Sequence, residues 1–365
     1  MIYFPQYYLC GEKKFTNIFK AFDYQKISGH FPSYRIDPEL IDSLTNIKRP
    51  KNLSTAYIVN LMIKGLKRIR QVSNKKLRLC LGGGTDSWTI MKLCVENNIF
   101  LDEVVTGLPT VYENARADLE YIPALRYAKK YEGQGIGVVK IVRPEMKELN
   151  YVYEKEWYKK TSGPVLPCRP SFWQIYKEEL SDHNYINLTG YDKPEFKVED
   201  GKIFLCYIDG SVGEWMGIEN SMPVLIDKNN PELLVAMAYM MLDNIPKKFL
   251  KKDNFIKLGG NFTDKKLEID ILNKLGMATE RPWLNFHYLG KKPYDQNLKT
   301  KYFYKQLESI NMNDFRRQYF ASMEEIYEEY KELPHALQRD GKGIKPVGRF
   351  SQKISILSDG FGQAS

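Results

Sequence analysis

The sequence predicts an α/β fold, in which a largely parallel, Rossmann-like sheet carries helices on both faces, with an N-terminal lobe before it and a helical region after it. Two observations lead to this prediction. Short apolar runs alternate with helix-length segments between residues 54 and 230. The first strand and the helix that follows it are joined by three consecutive glycines at 82–84, which is the usual opening of an α/β unit.

Residues 1–53 form the predicted N-terminal lobe. This stretch is rich in aromatic residues and is interrupted by prolines at positions 5, 32, 38 and 50. Proline fixes its own backbone angle and lacks an amide hydrogen, so it interrupts regular structure. We therefore expect short strands and turns here rather than long helices.

The region 54–230 is the predicted α/β domain. Apolar residues recur at helical spacing over 54–69, behind a Ser-Thr pair that suits a helix N-cap. A strand is predicted over Leu77–Leu81, where the glycines end it, and a helix over Ser87–Val95. This strand, glycine turn and helix are the first unit of the domain.

The same alternation continues towards residue 230. Further strands are predicted at Glu103–Thr106, Val138–Val142, Tyr185–Leu188 and Lys202–Ile208. A helix from about residue 114 to 131, closed by a glycine at 133, separates the first two. Strands that are separated by helix-length segments predict a largely parallel sheet.

Residues 231–365 are predicted to be a helical C-terminal region with a basic tail. Helical patterns cover 231–242, 265–275 and about 301–333. The stretch 341–349 is basic and rich in glycine. We expect it to form a tail or a lid over an active site.

Composition excludes some classes of protein and leaves others open. The five cysteines are scattered without a CxxC pair, which favours reduced thiols in the cytoplasm over a structural zinc or cysteine-ligated iron–sulfur site. No apolar run approaches 18 residues and no signal-peptide pattern opens the chain, so neither a membrane nor secretion is expected. The net charge of +9 suits a polyanionic partner such as tRNA, DNA or ATP, although lysine-rich composition alone also accounts for it.

The most specific motif is Gly82-Gly83-Gly84-Thr85-Asp86-Ser87. Glycines between a strand and a helix let the backbone approach a phosphate, to which the amides of the helix's first turn can then donate. The motif lacks the GxxxxGK[ST] of a Walker A loop, and Ser87 occupies the place of the third glycine of a dinucleotide-binding loop. An ordinary glycine turn that caps a helix is the alternative interpretation.

This motif resembles the PP-loop of the ATP pyrophosphatase superfamily, Ser-Gly-Gly-x-Asp-Ser, and is nearest to the C-terminal domain type of asparagine synthetase. Gly83, Gly84, Asp86 and Ser87 match it, whereas Gly82 replaces the family's serine. The resemblance implies a HUP/PP-loop core and cleavage of ATP between its α and β phosphates. It further implies that the loop holds the β and γ phosphates through Gly82, Gly83, Gly84, Thr85 and Ser87, and that Asp86 acts in catalysis and binds Mg²⁺.

A second, looser match follows the strand at 185–188. The family carries Ser-Gly-x-Gly-x-Asp-Glu after a later strand, and this chain has Thr189-Gly190-Tyr191-Asp192-Lys193 there. The resemblance implies that Thr189 and Gly190 line the pyrophosphate. It also implies catalytic roles for Asp192, which would bind Mg²⁺, and for Lys193, which would neutralise charge on the leaving phosphates. A solvated, proline-containing surface turn is the alternative.

The resemblance also suggests where the rest of the substrates bind. Backbone groups at the end of the second strand hold adenine in the family, which here points to Thr106 and Gly107, although a purely structural strand end has the same sequence. Arg116 and Arg126 on the next helix are either ligands for a carboxylate or phosphate, or a solvated face.

Two further segments are candidates for the active site. The loop between Trp157 and Trp173 is broken by proline and glycine and offers Cys168 and Arg169 for substrate contact. In the basic C-terminal stretch, Lys345 and Arg349 are candidates to close over pyrophosphate. A disordered tail is the alternative for that stretch.

The leading hypothesis for function is an ATP-dependent ligase that adenylates an acceptor oxygen and then forms a C–N bond. Residue 2 is Ile, not the glutaminase cysteine of amidotransferase members, so the nucleophile is ammonia, an amine, or ammonia or sulfur from a separate donor protein. The acceptor is a small molecule or a nucleotide. The alternatives are an enzyme that installs nitrogen or sulfur on a base of tRNA or DNA, and a degenerate module that binds nucleotides without turnover.

Overall fold

The structure is a computed structural model, and it describes fourteen stretches of the chain. These are residues 6–45, 47–81, 85–107, 121–142, 154–160, 182–190, 195–199, 202–208, 220–244, 254–256, 313–333, 337–340, 343–346 and 351–356.

The N-terminal lobe combines a small antiparallel sheet with two helices. Its elements are β1 (Gln6–Cys10), β2 (Lys13–Phe15), α1 (Ile18–Ser28), β3 (Ser33–Ile36) and α2 (Pro38–Thr45). The strands lie in the order β2-β1-β3, and every pairing is antiparallel. The short strands were predicted, whereas the 11-residue helix α1 was not.

Helix α1 is bounded by two local signals that the sequence carries. The Asn17 side-chain oxygen accepts hydrogen bonds from the amides of Phe19 (2.8 Å) and Lys20 (3.2 Å), so Asn17 is its N-cap. At the other end Gly29 adopts φ +70°, and its amide bonds the Gln25 carbonyl at 2.8 Å. Glycine adopts this left-handed conformation without a steric penalty, which ends the helix there.

The α/β domain follows in the expected order. Its first elements are α3 (Thr55–Val72), β4 (Lys76–Cys80), α4 (Thr85–Glu96), β5 (Leu101–Gly107), α5 (Tyr121–Lys130) and β6 (Ile136–Val142). The next are α6 (Trp157–Lys160), β7 (Tyr185–Thr189), β8 (Glu195–Glu199), β9 (Lys202–Ile208) and β10 (Ser221–Pro223). The predicted strands at 77–81, 103–106, 138–142 and 185–188 are confirmed as β4, β5, β6 and β7.

Five strands form one parallel sheet in the order β10-β7-β4-β5-β6. Every pairing in it is parallel. Within this sheet, the chain passes first through the central strand β4 and then through β5 to the edge strand β6. Strands β7 and β10 follow on the other side of β4. The predicted α/β, Rossmann-like core is therefore confirmed, and its strand order reverses between β4 and β7.

The two faces of this sheet differ in polarity. One face carries buried aliphatic side chains, which are Leu77, Leu79, Val104, Ile186 and Leu188. The opposite face carries a row of four buried polar residues, one from each of β5, β4, β7 and β10. In that order across the sheet they are Glu103, Arg78, Asn187 and Ser221.

The strand Lys202–Ile208 does not lie in the parallel sheet, which corrects the interpretation from sequence. As β9 it pairs antiparallel with β8, with Glu199 opposite Lys202, in a separate sheet. Only Asp200 and Gly201 lie between the two strands, and a parallel crossover needs a dozen or more residues. The connection between β8 and β9 is therefore that of a hairpin.

The C-terminal part contains strands as well as helices, so the expectation of a helical region was incomplete. Its described elements are α7 (Pro231–Asn244), β11 (Asn254–Ile256), α8 (Asn313–Tyr330), β12 (Leu337–Asp340), β13 (Gly343–Pro346) and β14 (Ser351–Ile356). Strand β14 pairs with β9 in the sheet of order β11-β8-β9-β14, and β12 pairs with β13. The predicted helix at 265–275 lies outside the described residues.

Helices α1, α6 and α8 meet in what we call the lobe-junction cluster. Its rings are those of Phe19, Phe22, Tyr158 and Tyr330, and the centroids of the rings that contact one another lie 4.9 to 6.4 Å apart. Its charged groups are Asp23, Lys26, Glu156, Lys159 and Glu329. The cluster attaches the C-terminal helix α8 to the N-terminal lobe.

The edge strand β6 is bound by side chains from the end of α5 and from the turn after it. The Val139 amide donates to Glu132 Oε1 (2.7 Å), and Lys129 Nζ donates to the Val139 carbonyl (3.3 Å). Lys129 and Glu132 also pair with each other at 2.8 Å.

Among the described helices, none has the length and apolar character needed to cross a membrane.

Candidate functional site

The candidate site lies where β4 and β7 end, at the carboxyl edge of the parallel sheet. In open α/β sheets, ligands bind outside the carboxyl ends of the strands at the point where the strand order reverses. Here the strand order reverses between the paired neighbours β4 and β7. The glycine motif follows β4, and Thr189 and Gly190 lie at the carboxyl end of β7, so the two predicted motifs come from the two strands at this point.

The residue before the glycines is held firmly by β5. The Leu81 amide donates to the Val105 carbonyl at 2.8 Å, and Thr106 Oγ1 donates to the Leu81 carbonyl at 2.8 Å. Thr106 is buried at 1% exposure. Its hydroxyl therefore fixes the position of Leu81, directly before the glycines. This is the structural role that was the alternative to an adenine contact at Thr106. Gly107 is the last residue of β5.

Helix α4 begins at Thr85, directly after the glycines. The first amides of a helix have no intrahelical partner and carry a partial positive charge. A helix of 12 residues that starts at this edge offers these donors to an anion. Ser87 lies in its first turn and is 7% exposed.

Thr189, the last residue of β7, carries an unsatisfied hydroxyl. It is 1% exposed, and among the described residues its Oγ1 has no hydrogen-bond partner. Leaving a buried hydroxyl unpaired costs about 1–3 kcal/mol, so such a group calls for an explanation. A bound ligand that accepts this hydrogen bond is one, and phosphate oxygens fit that requirement. Gly190 follows and is also buried.

Ser221 carries a second unsatisfied hydroxyl on the polar face. It is fully buried, and its Oγ likewise lacks a hydrogen-bond partner within the described part of the chain. In the register, Ser221 lies opposite Asn187, two residues before the carboxyl end of β7. It is therefore set back from the edge where Thr189 lies.

Arg78 is the main residue at this site that the sequence analysis missed. It is 1% exposed, and its Nε donates to Glu103 Oε1 at 2.5 Å. The signal was available, because an arginine in the middle of a Leu-Arg-Leu-Cys-Leu strand is rarely buried without a partner. Cys80 lies two residues further along β4, where burial raises the pKa of its thiol to about 12, so this thiol remains protonated.

The remaining predicted residues are placed only in part. Thr85 and Asp86 belong to α4, but their side chains lie outside what the structure describes. Arg126 is exposed on α5, in keeping with a solvated face. Lys345 belongs to β13, opposite Gln338, so this part of the basic stretch is a strand. The predicted residues that lie outside the described ranges are Gly82, Gly83, Gly84, Arg116, Cys168, Arg169, Asp192, Lys193 and Arg349.

A metal site is predicted by the sequence, but its two carboxylates are not among the side chains that the structure describes. Within the described ranges, no three His, Cys, Asp or Glu side chains are grouped so that they could hold a metal ion. Magnesium binding by Asp86 and Asp192 stays a prediction.

Comparison with known proteins gives no relative: no family model, curated protein or solved structure matches the chain.

Proposed function

We propose that the chain binds ATP beyond the carboxyl ends of β4 and β7 and uses it to adenylate an acceptor oxygen, after which a C–N bond is formed. The observation that carries the proposal is the reversal of strand order between these two strands, with a glycine run after one and an unsatisfied hydroxyl at the end of the other. Both features suit the polyphosphate of a nucleotide.

Each residue of the site has a defined role in this proposal. The glycines at 82–84 and the first amides of α4 hold the β and γ phosphates, together with the hydroxyls of Thr85 and Ser87. Thr189 donates to the same phosphates from the β7 side. Pyrophosphate departs when the acceptor oxygen takes AMP. The nitrogen nucleophile then attacks the activated carbon, and AMP leaves with the acceptor oxygen as the C–N bond forms.

The catalytic charges of the proposal come from three residues. Asp86 and Asp192 bind Mg²⁺, which neutralises phosphate charge, and Lys193 stabilises the leaving pyrophosphate. Thr106 and Gly107 form the end of β5, where backbone groups would hold adenine.

The first experiment identifies the products of ATP turnover. The purified protein is given ATP, Mg²⁺, ammonia and a panel of carboxylate acceptors, and nucleotides are separated by chromatography. We expect AMP and pyrophosphate, and we expect Asp86→Asn to abolish their release. ADP and phosphate as products would refute the mechanism.

The second experiment tests the site itself. Thr189→Val removes one hydroxyl with little change in shape, and we expect it to weaken ATP binding about tenfold, because hydrogen bonds to charged groups are among the stronger ones. Ser221→Ala is the matched control, since it removes the other unsatisfied hydroxyl away from the edge. Equal ATP affinity in Thr189→Val and the parent protein would exclude Thr189 from the site.

The two alternatives give different results in the same assays. A base-modifying enzyme would bind tRNA or DNA with an affinity that falls steeply with salt. A degenerate module would bind ATP tightly and release neither AMP nor pyrophosphate with any acceptor.

A further inference from the structure

The positive charge of the chain is concentrated in one segment. Residues 43–85 contain ten of the 54 basic residues and none of the 45 acidic ones. The rest of the chain, with 44 basic against 45 acidic residues, has a net charge of −1. The net charge of +9 is therefore a property of this segment, which contains α3 and β4, and not an average property of the chain.

The four arginines of the segment form ion pairs within the protein. Each lies beside a carboxylate from another element, so its charge is balanced. A further carboxylate beside α3, that of Glu232, accepts a hydrogen bond from the Tyr57 hydroxyl. The four ion pairs are Arg49 with Asp243, Arg68 with Asp227, Arg70 with Asp102, and Arg78 with Glu103.

The six lysines of the segment are arranged differently. All six are exposed, and among the described residues no carboxylate lies within ion-pair distance of any of them. Lys76 Nζ lies 5.7 Å from the centre of the Tyr185 ring, which leaves its charge unbalanced. The fold thus pairs the arginines and leaves every lysine of the segment to the solvent. These lysines are Lys48, Lys51, Lys64, Lys67, Lys75 and Lys76.

Helix α3 spaces these lysines along its length. Its buried residues are all apolar or glycine, and Lys64 and Lys67 lie about one turn apart on its exposed side. Lys51 precedes the helix and Lys75 follows it. The 18 residues of α3 rise about 27 Å, which matches roughly eight base pairs of a duplex. The charges therefore form an extended row and not a point.

The composition of this surface favours a nucleic acid over a protein or a membrane. In the described part of the segment, Val72 is the one exposed large apolar side chain, at 68% exposure. Protein interfaces have an apolar and aromatic centre that is poor in lysine. A helix that binds a membrane surface inserts its apolar side, whereas the apolar side of α3 is in the core. A phosphodiester backbone needs only a row of cations.

We propose that the exposed side of α3, together with the lysines just before and after it, is a docking surface for the phosphodiester backbone of a nucleic acid. Lysine contacts phosphate as a point charge, so this surface binds without regard to base sequence. The proposal goes beyond the proposed function, because it needs neither ATP nor turnover and uses no residue of the ATP site.

The experiment measures the binding of two labelled probes by fluorescence anisotropy, using the full-length protein without ATP. The probes are a DNA duplex of about 24 base pairs and unfractionated tRNA, and the salt is varied between about 50 and 200 mM. If four of the six lysines contact phosphates, duplex affinity should fall roughly a hundredfold over this range. The probe that binds more tightly identifies DNA or RNA as the source of the backbone.

A double variant tests whether α3 carries the binding. Lys64→Gln combined with Lys67→Gln removes two charges and keeps the helix propensity. We expect it to weaken binding at least about tenfold and to reduce the salt slope by about two. The matched control is Lys20→Gln combined with Lys130→Gln, which removes two charges from exposed positions on α1 and α5. We expect it to change affinity less than about twofold, because net charge alone does not make the surface.

Three results would overturn the proposal. They are the absence of binding to both probes at the lowest salt, equal weakening in the two double variants, and lysine-dependent binding to phosphatidylserine vesicles without binding to either nucleic acid. ATP turnover is measured separately. A protein that binds the probes but releases no AMP contradicts only the proposed function, and one that releases AMP but binds neither probe contradicts only this proposal. ATP turnover that depends on the nucleic acid, and not binding alone, would identify a base-modifying enzyme.

Discussion

Two charge groups of this protein, the Arg78–Glu103 pair and the lobe-junction cluster, differ in the distance along the chain that they bridge. Arg78 and Glu103 are 25 residues apart, on neighbouring strands. In the cluster, Tyr330 donates to Asp23 at 2.8 Å across 307 residues, and Tyr158 donates to Glu329 across 171. The first group joins two neighbouring strands of one sheet, whereas the second connects parts of the chain that are far apart in sequence.

Exposure also separates the two groups. In the cluster, the Lys159 side chain is 16% exposed and contacts Asp23 and Glu329 at 3.0 and 3.1 Å, but those carboxylates are 37% and 30% exposed. Water therefore screens the cluster and weakens each ion pair. The pair in the sheet is almost fully dry. We conclude that the cluster holds its helices together through many weak contacts, whereas the pair in the sheet joins two charges that are both removed from water.

The largest loss of stability is expected from breaking the Arg78–Glu103 pair, which we call the sheet pair. Arg78→Met leaves Glu103 buried without its partner, and breaking a buried ion pair in this way costs about 3–5 kcal/mol. Urea denaturation, monitored by circular dichroism, measures this loss in the free energy of unfolding. A loss of less than about 1 kcal/mol would show that the sheet pair behaves like an exposed one.

A smaller loss of stability is expected when one hydrogen bond of the lobe-junction cluster is removed. Tyr330 is fully buried, and burial followed by its hydrogen bond to Asp23 raises the pKa of its hydroxyl, which therefore remains a donor. Tyr330→Phe should cost about 1–2 kcal/mol in the free energy of unfolding. Tyr24→Phe, one residue from Asp23 on α1, is the control and should change stability little. Equal losses in both variants would contradict the assigned role.

The cluster also makes stability depend on pH. Burial alone would raise the pKa of Glu329, but hydrogen bonds from Tyr158, Lys26 and Lys159 lower it from 4.5 to about 2. A carboxyl whose pKa is lower in the folded state stabilises the fold above its unfolded pKa, and that contribution is lost as the pH falls. The free energy of unfolding should therefore decrease as the pH falls from 4.5 to about 2.

Thermal denaturation across that range tests this expectation. In Glu329→Gln the decrease should be smaller, while Glu325→Gln, an exposed position on α8, should keep the parent slope. Parallel slopes for Glu329→Gln and the parent protein would show that Glu329 does not carry the effect.

The smallest change in stability is expected when both members of the sheet pair are replaced. The double variant Arg78→Leu with Glu103→Leu leaves no unpaired charge, so its stability should lie within about 1 kcal/mol of the parent protein. A fold that is lost in the double variant would show that the pair is needed for cohesion.

The parts of the fold that the sequence predicted are those with local signals. Strands β4, β5, β6 and β7 are short apolar runs, and their parallel arrangement follows from the long connections between them. Asn17 and Gly29 mark both ends of α1, so this helix was within reach of the sequence but was hidden by the surrounding prolines. The Asp200-Gly201 pair was likewise a hairpin signal that was not used.

Other features depend on contacts between distant residues, which have no local signature. The pairing of β14 with β9 joins Ser351 to Ile208, and no pattern near either residue indicates the other. At the site, the glycine motif was visible because its residues are consecutive. The polar row containing Arg78 and Asn187 was not, because its members come from separate strands and meet only through the register of the sheet.

The side chains on the edge of β6 bear on how this protein behaves at high concentration. Open strand edges are where sheets recruit further strands and begin to aggregate. At Val139 the amide and the carbonyl are already bound by Glu132 and Lys129. A strand from another molecule would have to break both bonds and separate a charged pair before it could add there. At this residue the sheet is therefore protected against growing from one molecule into the next.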